Sequence, residues 1–273
     1  MKIIILFFIG TFLFIGCSSK PIHHTLSPNY ENSIKSQENN TLIFIDSCIY
    51  SENIGDNNDN WSVYKSKKVN SKIYDVTKNS LQKKGFKINE LKTPFMCGFF
   101  RLPTPNIKIK IHEDDDSFVG ELPYALNPEI DKKFNDALTR ISQSSYEESN
   151  LIGKINQIMK SHNLNQDFEY IKEITGQDKI LVINNYSTDV SKERKIAQGV
   201  STLVLSLGLF TYHQYGLFKT YVTLIDLNKQ EVIWKTALQF GTPNFDNDDF
   251  YNKTYKEIVL ESIGLSEGPS KIK

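Results

Sequence analysis

Three cysteines, five histidines and two acidic clusters are the side chains of this 273-residue chain whose types could do chemistry. A thiol serves as nucleophile, acyl acceptor or half a disulfide, so the fates of Cys17, Cys48 and Cys97 depend on the compartment where the chain folds. Neither Cys48 nor Cys97 has the His or Asn context of a catalytic thiol. Asp56-Asn57-Asn58-Asp59-Asn60 sets oxygen side chains at alternate positions, as a calcium loop does. Trp61, however, stands where such a loop needs Gly, and Lys67 where it needs a bidentate Glu, so a solvated loop is expected. The run His112-Glu113-Asp114-Asp115-Asp116 cannot converge on one cation from consecutive positions and reads as a turn. His23 and His24 are adjacent, which in extended chain sends them to opposite sides. No GxSxG, HExxH, phosphate-binding loop or CxxC occurs, and the expectation is no catalytic residue, no metal and no cofactor.

The elements that position these residues begin with a leader. Lys2 supplies positive charge, residues 3–15 are almost unbroken in their apolarity, and Phe14-Ile15-Gly16-Cys17 follows. Thirteen residues of helix rise only ~20 Å, short of the ~30 Å hydrocarbon core, so a cleaved signal fits better than a transmembrane anchor. A Cys directly after the small residue resembles the lipobox of bacterial lipoproteins, although Phe14 occupies the position where that pattern prefers Leu. The resemblance implies acylation of Cys17. Because Ser18 is not the Asp that retains such proteins at the inner membrane, it also implies outer-membrane residence facing the periplasm, with exposure on the cell surface left open. Several acyl chains, at ~0.8 kcal/mol per buried methylene, would make that anchor effectively permanent.

With Cys17 given to lipid, Cys48 and Cys97 remain as two thiols in an oxidising compartment. They either stay as buried thiols or bridge a loop of about fifty residues, worth ~4 kcal/mol on the chain-entropy model. Basic and acidic residues balance at 32 each, which gives no electrostatic case for nucleic acid. Hydrophobic residues at 39 %, with 13 Tyr and 17 Phe, suffice for a core. The expected organisation is a signal peptide over residues 1–16, a lipidated Cys and flexible tether over 17–40, one α/β domain over 41–264 with an irregular insertion at about 92–126, and a tail over 265–273.

Within the domain, residues 41–50 (TLIFIDSCIY) read as a buried strand. A helix over 69–84 ends at Gly85 with Phe86 packing back on Leu81, and a strand over 86–91 follows parallel to the first. Three helices are expected after Asn127-Pro128-Glu129, then a central strand over 179–186, a hairpin of 221–226 with 231–240, and a closing helix over 246–264. The order β-α-β-α-β-β-β-α describes an α/β sandwich of two or three layers with a mixed sheet. Residues 196–218 are apolar but broken by Gln198, Ser201, Ser206, His213 and Gln214. They read as a helix or hairpin whose Val200, Leu203, Leu205, Leu207, Leu209 and Phe210 either pack on the domain or meet membrane or a partner.

The strands Lys179-Ile-Leu-Val-Ile, Tyr221-Val-Thr-Leu-Ile-Asp and Glu231-Val-Ile-Trp234, in this element order, resemble a superfamily of envelope lipoproteins. It comprises the curli secretion channel protein, the outer-membrane activators of penicillin-binding proteins and the amino-terminal domain of the Tol propeller protein. Gln230 departs from that pattern, which carries Gly in the hairpin turn. The resemblance implies a non-enzymatic module that docks an envelope protein or assembles a homo-oligomer. The alternative it implies is a secretion pore in which residues 196–218 supply membrane strands or meet neighbouring subunits.

Overall fold

The computed structural model describes residues 23–35, 39–52, 60–88, 117–118, 132–146, 152–190, 192–206, 217–241, 247–260 and 263. The strands are β1 (His23–Leu26), β2 (Asn40–Glu52), β3 (Asn60–Ser62), β4 (Lys87–Ile88), β5 (Ser117–Phe118), β6 (Lys179–Val190), β7 (Leu217–Asp226) and β8 (Glu231–Gly241). The helices are α1 (Tyr30–Lys35), α2 (Val63–Lys83), α3 (Lys132–Ser145), α4 (Ile152–Ser161), α5 (Asn165–Thr175), α6 (Lys192–Leu205) and α7 (Phe250–Leu260), the last of π type.

The strands form one mixed sheet in the order β1-β8-β7-β6-β2-β3-β5, with β4 beside β2. β2 and β6 run parallel over twelve residue pairs, from Thr41 opposite Lys179 to Glu52 opposite Val190. β6, β7 and β8 then alternate in direction, as the short turn between β7 and β8 requires. A strand buried on both sides reads as a continuous apolar run, and Leu42, Ile43, Phe44 and Ile45 are all fully buried. Ile43 and Ile45 join Leu181, Ile183, Val222 and Leu224 under α2 and α7. Leu42 and Phe44 join Ile180, Val182 and Ile225 under α3, α4 and α5. Helices on both faces make this a three-layer α/β sandwich.

Sequence periods account for most of these elements. α2 ends as its glycine demands: Gly85 adopts φ 85°, and Phe86 N–H donates to the Leu81 carbonyl at 3.1 Å. α5 stops at Gly176, φ 65°, whose N–H donates to the Lys172 carbonyl at 2.8 Å. α3 buries Phe134, Ala137, Leu138 and Ile141, a stripe at helical spacing. The turn between β7 and β8 holds Gln230 at φ 56°, in the left-handed region that glycine would occupy without strain.

One boundary differs from the sequence reading. The stretch expected as tether, 17–40, carries β1 and α1, and β1 pairs with β8 from His23 opposite Ala237 to Leu26 opposite Trp234. Ser27 N–H donates to the Ile233 carbonyl at 2.9 Å, and the Ser33 hydroxyl donates to Asp226 Oδ2 at 2.7 Å. Four residues are too few for a period to show in the sequence. The free edge of β8, rather than the residues' own pattern, makes them a strand.

Candidate functional site

In open α/β sheets, ligands sit beyond the carboxyl ends of parallel strands. Midway along their length, on the way to that end, β2 and β6 turn polar together: Asp46, Ser47, Asn184, Asn185 and Ser187 are all fully buried. The last turn of α3 lies over this layer. Ser142 Oγ lies 2.8 Å from Asp46 Oδ2 and 2.5 Å from Asn184 Oδ1. Asn184 Nδ2 donates to the Ser142 carbonyl at 3.2 Å and to Ser145 Oγ at 3.0 Å. Lys235 is fully buried and donates from Nζ to the Ser145 carbonyl at 3.3 Å, with Nζ 5.6 Å from the Tyr221 ring centroid. A lysine and an amide thus meet carbonyls of the last turn of the helix, where the Ser142 carbonyl also accepts from Tyr146 N–H at 3.2 Å and from Ser145 Oγ at 2.8 Å. On the opposite sheet face Asn185 Nδ2 donates to Ser47 Oγ at 2.7 Å, and Ser187 Oγ donates to Asn185 Oδ1 at 3.2 Å. The arrangement seats α3 on the sheet, and its polar groups point at one another.

A second cluster lies at the outer rim of the helices. Arg140, Gln143, Ser144, His162 and Leu164 line a hollow of about 120 Å³, where Ser144 Oγ is 2.7 Å from His162 Nδ1. A Ser–His pair is the start of a nucleophilic site, which also needs a group to orient the imidazole. The carboxylate nearby is spent on Arg140: its Nε and Nη2 donate to Asp167 at 2.9 and 2.6 Å. That hydrogen bond to Asp167 holds the guanidinium pKa above its ordinary value. The hollow is also well below the ~300 Å³ at which small-molecule sites begin.

The third feature is apolar. α6 exposes Ile196, Val200, Val204 and Leu205 to 57, 56, 68 and 84 % of their surfaces. Ile196, Val200 and Val204, at i, i+4 and i+8, share one helical face and form a stripe, while Leu205 is exposed at the helix end, half a turn round from Ile196. Ile174, at the end of α5, is the other large apolar residue this open among the described residues.

The residues singled out from sequence are placed as follows. Val200 lies on the α6 stripe, Leu205 is exposed at the end of α6 and Leu203 lies within α6, whereas Leu207, Leu209, Phe210 and His213 fall outside the described residues. Residues 192–205 are helical, so the first part of 196–218 does not supply membrane strands. Among the described residues no helix is long and apolar enough to cross a membrane. Cys48 stands in β2 opposite Tyr186; Cys17 and Cys97 lie outside the described residues, among which no disulfide occurs. The acidic run 112–116 and most of the Asn-rich loop also lie outside. No group of three metal-binding side chains occurs among the described residues. His24, partly buried in β1, has its pKa lowered by that burial.

Sequence reasoning missed the buried layer and the Ser144–His162 pair. The signal for the first was present: a run of Ile and Leu in β2 and again in β6 gives way to Asp46-Ser47 and Asn184-Asn185 at matching positions of two parallel strands. No protein-family model matches the chain, and no curated protein or solved structure is similar to it.

Proposed function

We propose that this chain is a lipid-anchored, periplasm-facing binding or scaffold module of the bacterial outer membrane, working through its surfaces rather than through a catalytic cleft. The observation that carries this reading is the buried layer midway along β2 and β6, where both strands turn from apolar to polar toward their carboxyl ends. Where an α/β enzyme would present polar groups to a ligand, Asp46, Ser142, Asn184 and Ser145 bond one another and hold α3 in place. The leader and Cys17 supply the address, and the resemblance of the hairpin strands to docking and assembly lipoproteins supplies the kind of work.

The test is chemical crosslinking in cells that express the full chain, followed by purification and mass spectrometry. Reproducible recovery of one or a few envelope proteins is the expected result. Recovery of none, with the chain itself abundant in the outer membrane, would overturn the docking role.

A further inference from the structure

We infer that the exposed stripe of α6 lies in the interface of the same bilayer that holds the acylated Cys17, so that the domain has a membrane-facing end. This rests on the lipid-anchor reading and adds the orientation of the domain to it.

Three observations meet here. First, the fold starts close to the anchor. Only residues 18–22 separate Cys17 from His23 in β1, and six Cα steps span at most ~21 Å. Second, that anchor leaves from a definite end of the sheet. His23 pairs with Ala237, Ala237 with Tyr221, Tyr221 with Asn184 and Asn184 with Asp46, which makes one row across five strands. β1 runs opposite to β6, so its first residue, His23, faces the end where β6 finishes at Val190 and α6 begins at Lys192. β1 lies three strand spacings from β6, ~14 Å at ~4.8 Å each. The starts of β1 and of α6 therefore face the same end of the molecule.

Third, α6 has the composition of an interfacial helix. Its first turn reads Lys192-Glu193-Arg194-Lys195, net positive and suited to anionic headgroups, and the stripe Ile196, Val200 and Val204 follows, ~12 Å long at 1.5 Å per residue, with Leu205 exposed at the helix end. Ile174, the other exposed large apolar residue, ends α5 just before β6 enters the sheet at Lys179, at the opposite end. An apolar stripe on the anchor side is covered by lipid as soon as the anchor inserts.

The test uses the full, acylated chain in vesicles of phosphatidylethanolamine and phosphatidylglycerol. A photo-crosslinking phenylalanine analogue is placed at Val204 in one sample and at Ile174 in another, and palmitate on Cys17 is measured in both. The expected result is lipid adducts at position 204 in several-fold excess over position 174. In the acylated chain, equal adduct at both positions, crosslinking of position 204 to a protein, or none at all would overturn the inference and leave the anchor standing. A chain without acyl on Cys17 would sink the anchor reading itself, and this inference with it. A V200D/V204D variant carrying the probe at Leu205 gives a second check: its lipid adducts fall several-fold if the stripe meets the bilayer, and an unchanged yield contradicts it.

Discussion

Asn184 does three jobs with one amide: its Nδ2 donates to the Ser142 carbonyl and to Ser145 Oγ, and its Oδ1 lies beside Ser142 Oγ. All the partners are buried and each keeps another hydrogen bond, Ser142 Oγ to Asp46 and Ser145 Oγ and Tyr146 N–H to the Ser142 carbonyl, so removing the amide costs its own three bonds at ~1 kcal/mol each. Asn184→Ala is expected to lower stability by ~2–4 kcal/mol, read as a shift in the urea midpoint at unchanged slope. A residue engaged with an external ligand instead would leave the midpoint nearly unchanged. His24 makes a pH-dependent prediction. Its folded pKa lies below the usual 6.5, so as pH falls through 6.5 the unfolded chain takes up the proton first. The contribution of His24 is therefore complete above 6.5 and lost progressively below it, as pH approaches the lower folded value. Urea midpoints measured at several values from about pH 7 to pH 5 should fall less in His24→Asn than in the parent.

Among the elements, the β7–β8 turn and α6 show where sequence patterns stop being sufficient. The hairpin is evident from its two apolar strands, and Gln230 in place of Gly marks a turn under strain; the observed φ of 56° is that strain. Left-handed backbone costs a non-glycine residue ~1–2 kcal/mol, so Gln230→Gly is expected to raise stability by ~1 kcal/mol in thermal unfolding. A drop would mean that the Gln side chain matters more than its backbone. The helices α2, α3, α4 and α5 were legible because apolar stripes at helical spacing pack on a sheet, and Gly85 and Gly176 mark two of their ends. β1 was not legible: His23-His24-Thr25-Leu26 has no strand signature, and its pairing is set by β8, more than two hundred residues away in sequence. The polar layer was hidden for the same reason, since Asp46, Ser142 and Asn184 meet only once two parallel strands and a helix are assembled. α6 obeys the opposite logic. Its apolar character was readable, though not which residues face out; Val204 does, so Val204→Asp should change unfolding stability by less than ~0.5 kcal/mol, whereas Leu181→Ala in the core costs ~2–5 kcal/mol. Comparable losses from both would show that α6 packs against the domain.

For the molecule as a whole, the account depends on a direction. The sandwich is closed on both faces by helices, while the start of β1 and the start of α6 face one end of the sheet. On the proposed anchoring, the far end and the helical faces are what the module offers a partner, and the neutral balance of 32 basic and 32 acidic residues leaves recognition to shape and local chemistry. The measurement that tests this most directly is metabolic labelling with palmitate in a Gram-negative host, comparing the parent chain with Cys17→Ser and followed by separation of inner and outer membranes. The account predicts a labelled, shortened parent in the outer membrane and no label in Cys17→Ser. A full-length, unlabelled parent in the soluble fraction would contradict it.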